Sequence, residues 1–294
     1  MKREERTRGR GEERTKGRGE ERTRGRGEGG RGRRKKGERK RNHRGERSSP
    51  EVTSKRRELR EKKGKSGEGM MEPVEFWSIC SVNGLPLSDE QMDLLLRYGE
   101  DLLFWNDQVN LISRRDTEHI WLRHILHSIT PLLMKVMPDT GRVLDIGSGG
   151  GLPGIPMKIA APKLDVTLLD SIAKKVRTTA MLASHITKHG LQAIRNRSEE
   201  LANDSDHFGA YDVIVARAVA PLVDLMKWSE PLLKPDGKII ALKGGALTDE
   251  IDHARGKFPD AEIEILDIQL QGTEWFVKEN KRIVRVSGMR EGRR

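Results

Sequence analysis

The residues with the most chemical content lie in one run, Val143-Leu144-Asp145-Ile146-Gly147-Ser148-Gly149-Gly150-Gly151-Leu152-Pro153-Gly154. Arg142–Ile146 reads as a buried strand, and the glycines after it let the backbone turn sharply and bring its N–H groups against a ligand. A strand that enters such a loop and a helix that leaves it form a nucleotide-type cofactor site, with Gly149 and Gly151 inside the cradle. Taken alone, a glycine-rich turn is weak evidence, because many are merely flexible.

Two acids narrow the choice of ligand. Asp170 ends the next strand, in Leu168-Leu169-Asp170, where a carboxylate accepts hydrogen bonds from ribose hydroxyls. Asp145 stands just before the glycines. A dinucleotide places its pyrophosphate at this helix start, and a carboxylate there repels it. S-adenosylmethionine brings an ammonium and a sulfonium and no phosphate, so Asp145 favours the methyl donor over NAD. An N-cap or turn role is the plain alternative for each acid.

The elements around the loop alternate. Ile155–Ala160 reads as a short helix and Asp165–Leu169 as a strand; Ser171 is expected to cap a helix that stops at Gly190. Tyr211–Val215, Lys238–Leu242, Glu262–Leu270 and Arg282–Val286 read as strands, with helices around Leu222–Leu233 and Leu247–Arg255. This interval predicts an α/β, Rossmann-like fold: a mainly parallel twisted sheet covered on both faces. Upstream, Ser88 and Gln91 form a capping box ahead of Met92, Leu95, Leu96, Leu102 and Leu103 at helical spacing. A second helix is expected from Thr117 to about Ile129, stopping before Pro131. The expected organisation is a disordered tail over 1–72, an N-terminal helical cap over 73–138 and a cofactor-binding core over 139–294.

Residues 1–70 hold 28 Lys+Arg against 13 Asp+Glu, a net of +15, whereas residues 71–294 are at −4. The basic character therefore belongs to the tail, not to the expected folded part. An eight-residue unit, EERTRGRG, recurs with one Lys-for-Arg change from Glu4, Glu12 and Glu20. With almost nothing apolar to bury, such a segment is expected to stay disordered. Its Arg-Gly rhythm suits RNA phosphates through counterion release, although it lacks aromatics for stacking and its Glu pairs dilute the charge. A dispensable solvated extension, or a natural start at Met70 or Met71, are the alternatives.

Cys80 is the only cysteine, which excludes an internal disulfide and points to a buried apolar role in a reducing compartment. No apolar run approaches the roughly 20 residues needed to span a membrane. A cytoplasmic monomer with no membrane partner is the expectation. The histidines and the cysteine show no clustered ligand spacing, so no metal is expected.

Several separated motifs, in order, resemble one family: Trp105-Asn106 with Asn110-Leu111-Ile112-Ser113, Arg123-His124-Ile125-Leu126, the run from Asp145 through Gly151-Leu152-Pro153-Gly154-Ile155-Pro156, Leu168-Leu169-Asp170-Ser171, Ala216-Arg217-Ala218 and Ala241-Leu242-Lys243-Gly244. Over about Leu85–Gly245 the chain is similar to the bacterial small-subunit ribosomal RNA methyltransferase G family, also called glucose-inhibited division protein B. The resemblance implies a class I methyltransferase that modifies guanine N7 in the decoding-region loop of 16S rRNA, with the small ribosomal subunit as partner. It places cofactor contacts at Gly147, Leu152, Ser198, Glu199 and Arg217. His127 stands where the family usually has Asp, and Thr178-Thr179-Ala180 where it has a Phe-Leu pair; both bear on local packing. The tail has no counterpart in the family pattern.

Guanine N7 attacks an activated methyl group through a free lone pair, so such an enzyme needs positioning more than a base. The sequence lacks the Asn/Asp-Pro-Pro-Tyr/Phe of amino methylation, and no cysteine follows the fourth strand for a covalent cytosine route. Arg217 stands there instead, to hold the guanine edge or a phosphate, to shape the cofactor pocket, or to make a structural salt bridge. Asn110, Ser113, Arg123 and His124 either line an RNA face or brace the cap against the sheet. Lys243 meets an RNA phosphate or is solvated, and His127 reads as an ordinary helix residue. Two rival functions remain open: a nicotinamide-dependent Rossmann oxidoreductase, and a noncatalytic RNA-binding protein acting through its tail. The oxidoreductase is disfavoured by Asp145 and by the lack of a hydride-transfer residue after the fourth strand.

Overall fold

A computed structural model describes residues 70–289. The expected tail therefore lies almost wholly outside the described residues, as do its repeats. Two N-terminal helices come first, α1 (Pro73–Val82) and α2 (Asp89–Val109). A 3-10 turn (Arg114–His119), a π-helical turn (Ile120–Leu126) and α3 (His127–Leu133) lead to the sheet. Then follow β1 (Gly141–Ile146), α4 (Gly154–Ala160), β2 (Leu164–Asp170), α5 (Ala173–Ile186), β3 (Leu191–Arg195), α6 (Ser198–Leu201) and β4 (Tyr211–Arg217). The chain finishes with α7 (Leu222–Ser229), β5 (Leu233–Gly244), α8 (Thr248–Lys257), β6 (Glu262–Asp267), α9 (Trp275–Lys278) and β7 (Lys281–Ser287).

The seven strands form one sheet in the order β3-β2-β1-β4-β5-β7-β6. β1 to β5 are parallel neighbours, and β7 runs antiparallel to β5 and β6. This is the expected doubly covered, mainly parallel Rossmann-like sheet. The order reverses between β1 and β4, so a crevice opens at their carboxyl ends, where open α/β sheets bind ligands.

Strand alternation divides the apolar residues into two cores. Val143, Val166, Leu168, Val213 and Val215 face one way and join Leu95, Leu102, Ile125 and Ile129 of the N-terminal helices. Leu144, Ile146, Leu169, Ile214 and Ala216 face the other way, under Leu222, Met226 and Ile251. The N-terminal helices therefore share a core with one face of the sheet. The alternation also turns Asp145 to the same side as Val143, under α4.

Local expectations held where chain-local chemistry dominates. The Ser88–Gln91 capping box forms, with Ser88 Oγ accepting from Gln91 N–H and Gln91 Oε1 from Ser88 N–H. Others are corrected. The expected Thr117–Ile129 helix is instead 3-10, then π, then α, and it runs through Pro131. A helical proline normally orphans the carbonyl four residues earlier. Here that carbonyl, on His127, accepts the Thr130 hydroxyl at 2.8 Å.

Ser171 does not cap α5; Asp170 Oδ1 accepts the Ile172 N–H at 2.9 Å just before it. α5 stops at Ile186, and Gly190 takes its left-handed turn (φ +68°) in the connection to β3. The strand expected to reach Leu270 ends at Asp267. β3 carries no clear pattern in the sequence because, as an edge strand, it has no buried side chain.

Candidate cofactor and substrate cleft

The glycine loop runs from β1 to α4 across the carboxyl ends of the central strands. Gly147, Gly149 and Gly151 all have positive φ (67°, 56° and 91°), which explains their type. At Gly151 an added Cβ would also come 2.4 Å from Ile155 Cδ1. Ser148 N–H donates to Leu169 O at 3.0 Å, which ties the loop to β2.

Both acids hold this loop. Asp170 Oδ2 accepts Gly149 N–H at 3.1 Å. Asp145 is fully buried and does not reach the cleft wall; its Oδ2 accepts Gly154 N–H at 2.8 Å. Asp145 Oδ1 has no hydrogen-bond partner among the described residues. Burial pushes its pKa up to about 8, opposed by the Gly154 hydrogen bond and by Arg217. The expectation that Asp145 stands directly beside a cationic ligand is thus corrected to a place beneath the loop, because β1 alternation faces it towards α4.

An open cleft of about 610 Å³ lies over the loop, lined by Gly147, Gly149, Leu152, Ser113, Arg123, His124, Arg217 and Lys243 among others. Arg217, at the end of β4, donates from one guanidinium nitrogen to the Arg123 carbonyl at 3.1 Å. Its other nitrogen lies 3.0 Å from His124 Nδ1. Burial lowers the Arg217 pKa, while Tyr98, Asp145 and Asp116 raise it. In place of a structural salt bridge, its contacts are with a carbonyl and an imidazole. Arg123 itself pairs with Asp116 at 2.7 Å. His124 is buried and its pKa falls to about 3, chiefly by burial and then by Arg217.

Lys243 is neither solvated nor free. Its amino group is 2.7 Å from both Glu250 Oε1 and the Ala220 carbonyl. Ser113 is exposed and caps the 3-10 turn. Asn110 is exposed at the left-handed end of α2 (φ 55°), outside the cleft lining. Ser198 is buried and Glu199 exposed at the start of α6, and neither lines the cleft.

Three more residues support the loop: Tyr98 lies in no motif, while Asn106 and Thr179 lie in stretches compared with the family but are not expected there as site residues. Tyr98 donates its hydroxyl to Gly150 O at 3.0 Å, and Thr179 to Gly149 O at 2.5 Å. Asn106 Oδ1 accepts the N–H groups of Leu111 and Ile112 at 2.7 and 2.8 Å, setting the rim. Tyr98 was legible as a helical neighbour of Leu95 and Leu102. Trp275, Lys175 and Lys281 also line the cleft, and no local motif marks them.

The fit to a cofactor is decided by charge. Asp170 at the end of β2 carries the negative charge beside the loop, which suits a cationic ligand and repels a pyrophosphate, while Asp145 holds the loop from beneath as a carboxyl that burial keeps largely protonated near neutral pH. Among the described residues no group of three or more His, Cys, Asp or Glu could hold a metal ion. Among the same residues, no helix is long and apolar enough to cross a membrane.

Residues 91–275 match the family model for rRNA small subunit methyltransferase G. A ribosomal RNA small subunit methyltransferase G from Streptococcus pneumoniae serotype 19F (strain G54) is 38% identical over 63% of this chain and 78% of that one. Another, from Chlorobium luteolum, is 40% identical over 60% of this chain and 72% of its own. Among solved structures, a ribosomal protein L11 methylase from Lactobacillus delbrueckii subsp. bulgaricus superposes with a TM-score of 0.44 at 19% identity, covering 56% of this chain and 78% of that one. The cleft at the β1/β4 switch point, its carboxylate-held glycine loop and the match over residues 91–275 place this chain in the rRNA small subunit methyltransferase G family, enzymes that use S-adenosylmethionine to methylate ribosomal RNA.

Proposed function

We propose that this protein transfers a methyl group from S-adenosylmethionine to N7 of a guanine in 16S rRNA, working in the cytoplasm as a monomer on the small ribosomal subunit. The observation that supports it most directly is the glycine loop bonded to Asp170 at the end of β2, with Asp145 beneath it, a setting that favours a cationic donor over a pyrophosphate. When bound, S-adenosylmethionine supplies an electrophilic methyl group on a sulfonium. Asp170 accepts ribose hydroxyls, while Gly147, Gly149 and Leu152 form the floor and Gly151 shapes the turn behind it. Asp145 contributes from beneath, through its hold on Gly154. Ser198 and Glu199, carried over from the family pattern, lie outside the cleft lining and contact the donor only if it reaches beyond that cleft.

The target N7 has a lone pair ready to attack, so no residue needs to remove a proton first. Arg217 acts by position: its bonds to Arg123 and His124 fix a guanidinium at the end of β4, where it aligns base and donor. Ser113, Arg123 and His124 form the RNA side of the cleft, with Asn110 beyond its edge. Lys243 supports that side through Glu250 and the Ala220 carbonyl.

The test is nucleoside mass spectrometry of small-subunit RNA after incubation of unmethylated subunits with the full chain and S-adenosylmethionine. The expected product is 7-methylguanosine in 16S rRNA. Methylation at cytosine C5 or adenine N6, or binding of NAD in preference to the methyl donor, would overturn the reading.

A further inference from the structure

The segment after β4, Ala218-Val219-Ala220-Pro221, joins Arg217 to α7. Ala218 lines the cleft beside Arg217 and has a left-handed backbone (φ 54°), which is unfavourable for any residue with a Cβ. Strain of this kind persists only where neighbouring contacts hold it. Val219 packs on Gly147 so closely that a Cβ added there would come 2.7 Å from Val219 Cγ2. The gap between the glycine loop and the end of β4 is set at this contact.

The hold on this segment comes from outside the cleft. Pro221 stands at the N-cap of α7 and offers no side-chain cap. Glu250 of α8 supplies one, its Oε1 accepting the Leu222 N–H at 2.6 Å. The same oxygen accepts from Lys243 Nζ at 2.7 Å, and that amino group also donates to the Ala220 carbonyl at 2.7 Å. One carboxylate thus fixes the segment at two points, both within four residues of the strained Ala218. Only 14% of the Lys243 side chain and 25% of the Glu250 side chain are exposed, so salt screens the pair less than one on the open surface. Glu250 itself does not line the cleft.

We propose that Glu250 is a positioning residue for methyl transfer: acting with Lys243, it holds Ala218–Leu222 in place and so sets Arg217 against the glycine loop. The loop has supports of its own, since Asp170, Tyr98 and Thr179 bond it directly. Loss of Glu250 therefore slows the reaction and spares donor binding. The inference rests on the orienting role proposed for Arg217 and extends it to a residue outside the cleft.

The experiment uses the full chain, well below its melting temperature. It measures single-turnover methylation at saturating small subunits and, by calorimetry, the affinity for S-adenosylmethionine. Glu250→Ala should lose about tenfold or more in rate, with donor affinity within about twofold of wild type. Glu250→Gln keeps an oxygen for the Leu222 N–H and Lys243 and should recover most of the rate. Glu250→Asp, one methylene shorter, should not. Lys243→Met should lose a similar factor, and the double variant should be little slower than either single one, because both release the same segment. If Glu250→Ala does not fold, Lys243→Met is judged by the same rate and affinity. A loss of less than about threefold in rate overturns the proposal. So does a rate loss matched by an equal loss of donor affinity, or a double variant in which the two losses multiply. If the wild type methylates no small-subunit RNA, the functional reading itself fails and takes the positioning role with it.

Discussion

The guanidinium of Arg217 lies 3.0 Å from Nδ1 of His124, across the gap between the end of β4 and the π-helical turn. The two residues are far apart in sequence, and the fold alone brings them together. Their bond gives a fixed cation at the cleft and sets the histidine tautomer.

Arg217→Ala should therefore lower turnover by about a hundredfold, because orientation at the reacting centre is lost. Arg217→Lys should recover little, since a lysine cannot span both the Arg123 carbonyl and His124. Single-turnover methylation of small subunits, with calorimetry for the donor, measures both. A turnover near wild type in Arg217→Ala would remove Arg217 from the positioning machinery.

Asp145 is predicted to trade stability for ligand binding. Its pKa rises from 3.8 in the unfolded chain to about 8 in the folded one. The folded state thus holds the extra proton between those values, and its contribution, full below pH 3.8, is lost as pH rises through 8. Asp145→Asn keeps an acceptor for Gly154 N–H and removes the buried charge. It should flatten the fall in thermal stability between about pH 4 and 8 and stabilise the ligand-free protein by about 1–3 kcal/mol at the upper end. Its affinity for S-adenosylmethionine should drop. Unchanged melting curves across that range would show that the carboxyl does not titrate as described.

The histidines act in the opposite direction. His124 titrates at about 3 in the folded chain, well below its ordinary 6.5, because burial and Arg217 disfavour the cation. His127 is also held low, by burial first. Their contribution is present above pH 6.5 and is lost as pH falls through 6.5 towards 3. His127→Leu should unfold less steeply with acid than wild type, read by urea melts at about pH 7, 5.5 and 4. An identical slope would place the titration elsewhere.

Glycines in the loop should fail in different ways. A Cβ at Gly154 would come 2.4 Å from Leu168 Cδ2 and 2.9 Å from Asp145 Oδ2, inside the core. Gly154→Ala should destabilise the fold by about 1–3 kcal/mol. At Gly149 the nearest atom to such a Cβ is Leu111 O at 3.6 Å, an ordinary contact. Gly149→Asp, strained by the left-handed φ of 56° but free of a core clash, should leave a folded protein that no longer binds S-adenosylmethionine, because its side chain fills the space where the loop backbone must approach the ligand. Circular dichroism and calorimetry on the two variants separate the effects.

The basic tail gives a prediction of its own. Residues 1–70 hold a net charge of +15 and no base-reading arrangement. Removing residues 1–69 should leave donor affinity and the modified nucleotide unchanged, and make RNA binding weaker and less salt-dependent. Methylation at a different position after truncation would give the tail a role in site selection.

The sequence by itself determined what depends on neighbours along the chain. The capping box at Ser88 and Gln91, the strand–glycine–helix order around Gly147–Gly154 and the alternation of elements are local, and all are found in the fold. The strand reading also placed Asp145 and Asp170 at or beside strand ends, and the resemblance placed Arg217 at the end of the fourth strand, where the fold has them. The antiparallel return of β7 between β5 and β6, by contrast, is a matter of long-range pairing that no local pattern encodes. The same is true of the site's partners. Asp145 turns beneath α4 because strand alternation and the packing of α4 bury it, and Lys243 is held by Glu250 because β5 and α8 meet. Pro131 sits inside a helix because the Thr130 hydroxyl takes the carbonyl that the missing N–H would have bonded. Residue type and spacing reveal which groups are available; only the folded chain decides which of them face each other, and burial then sets their charge.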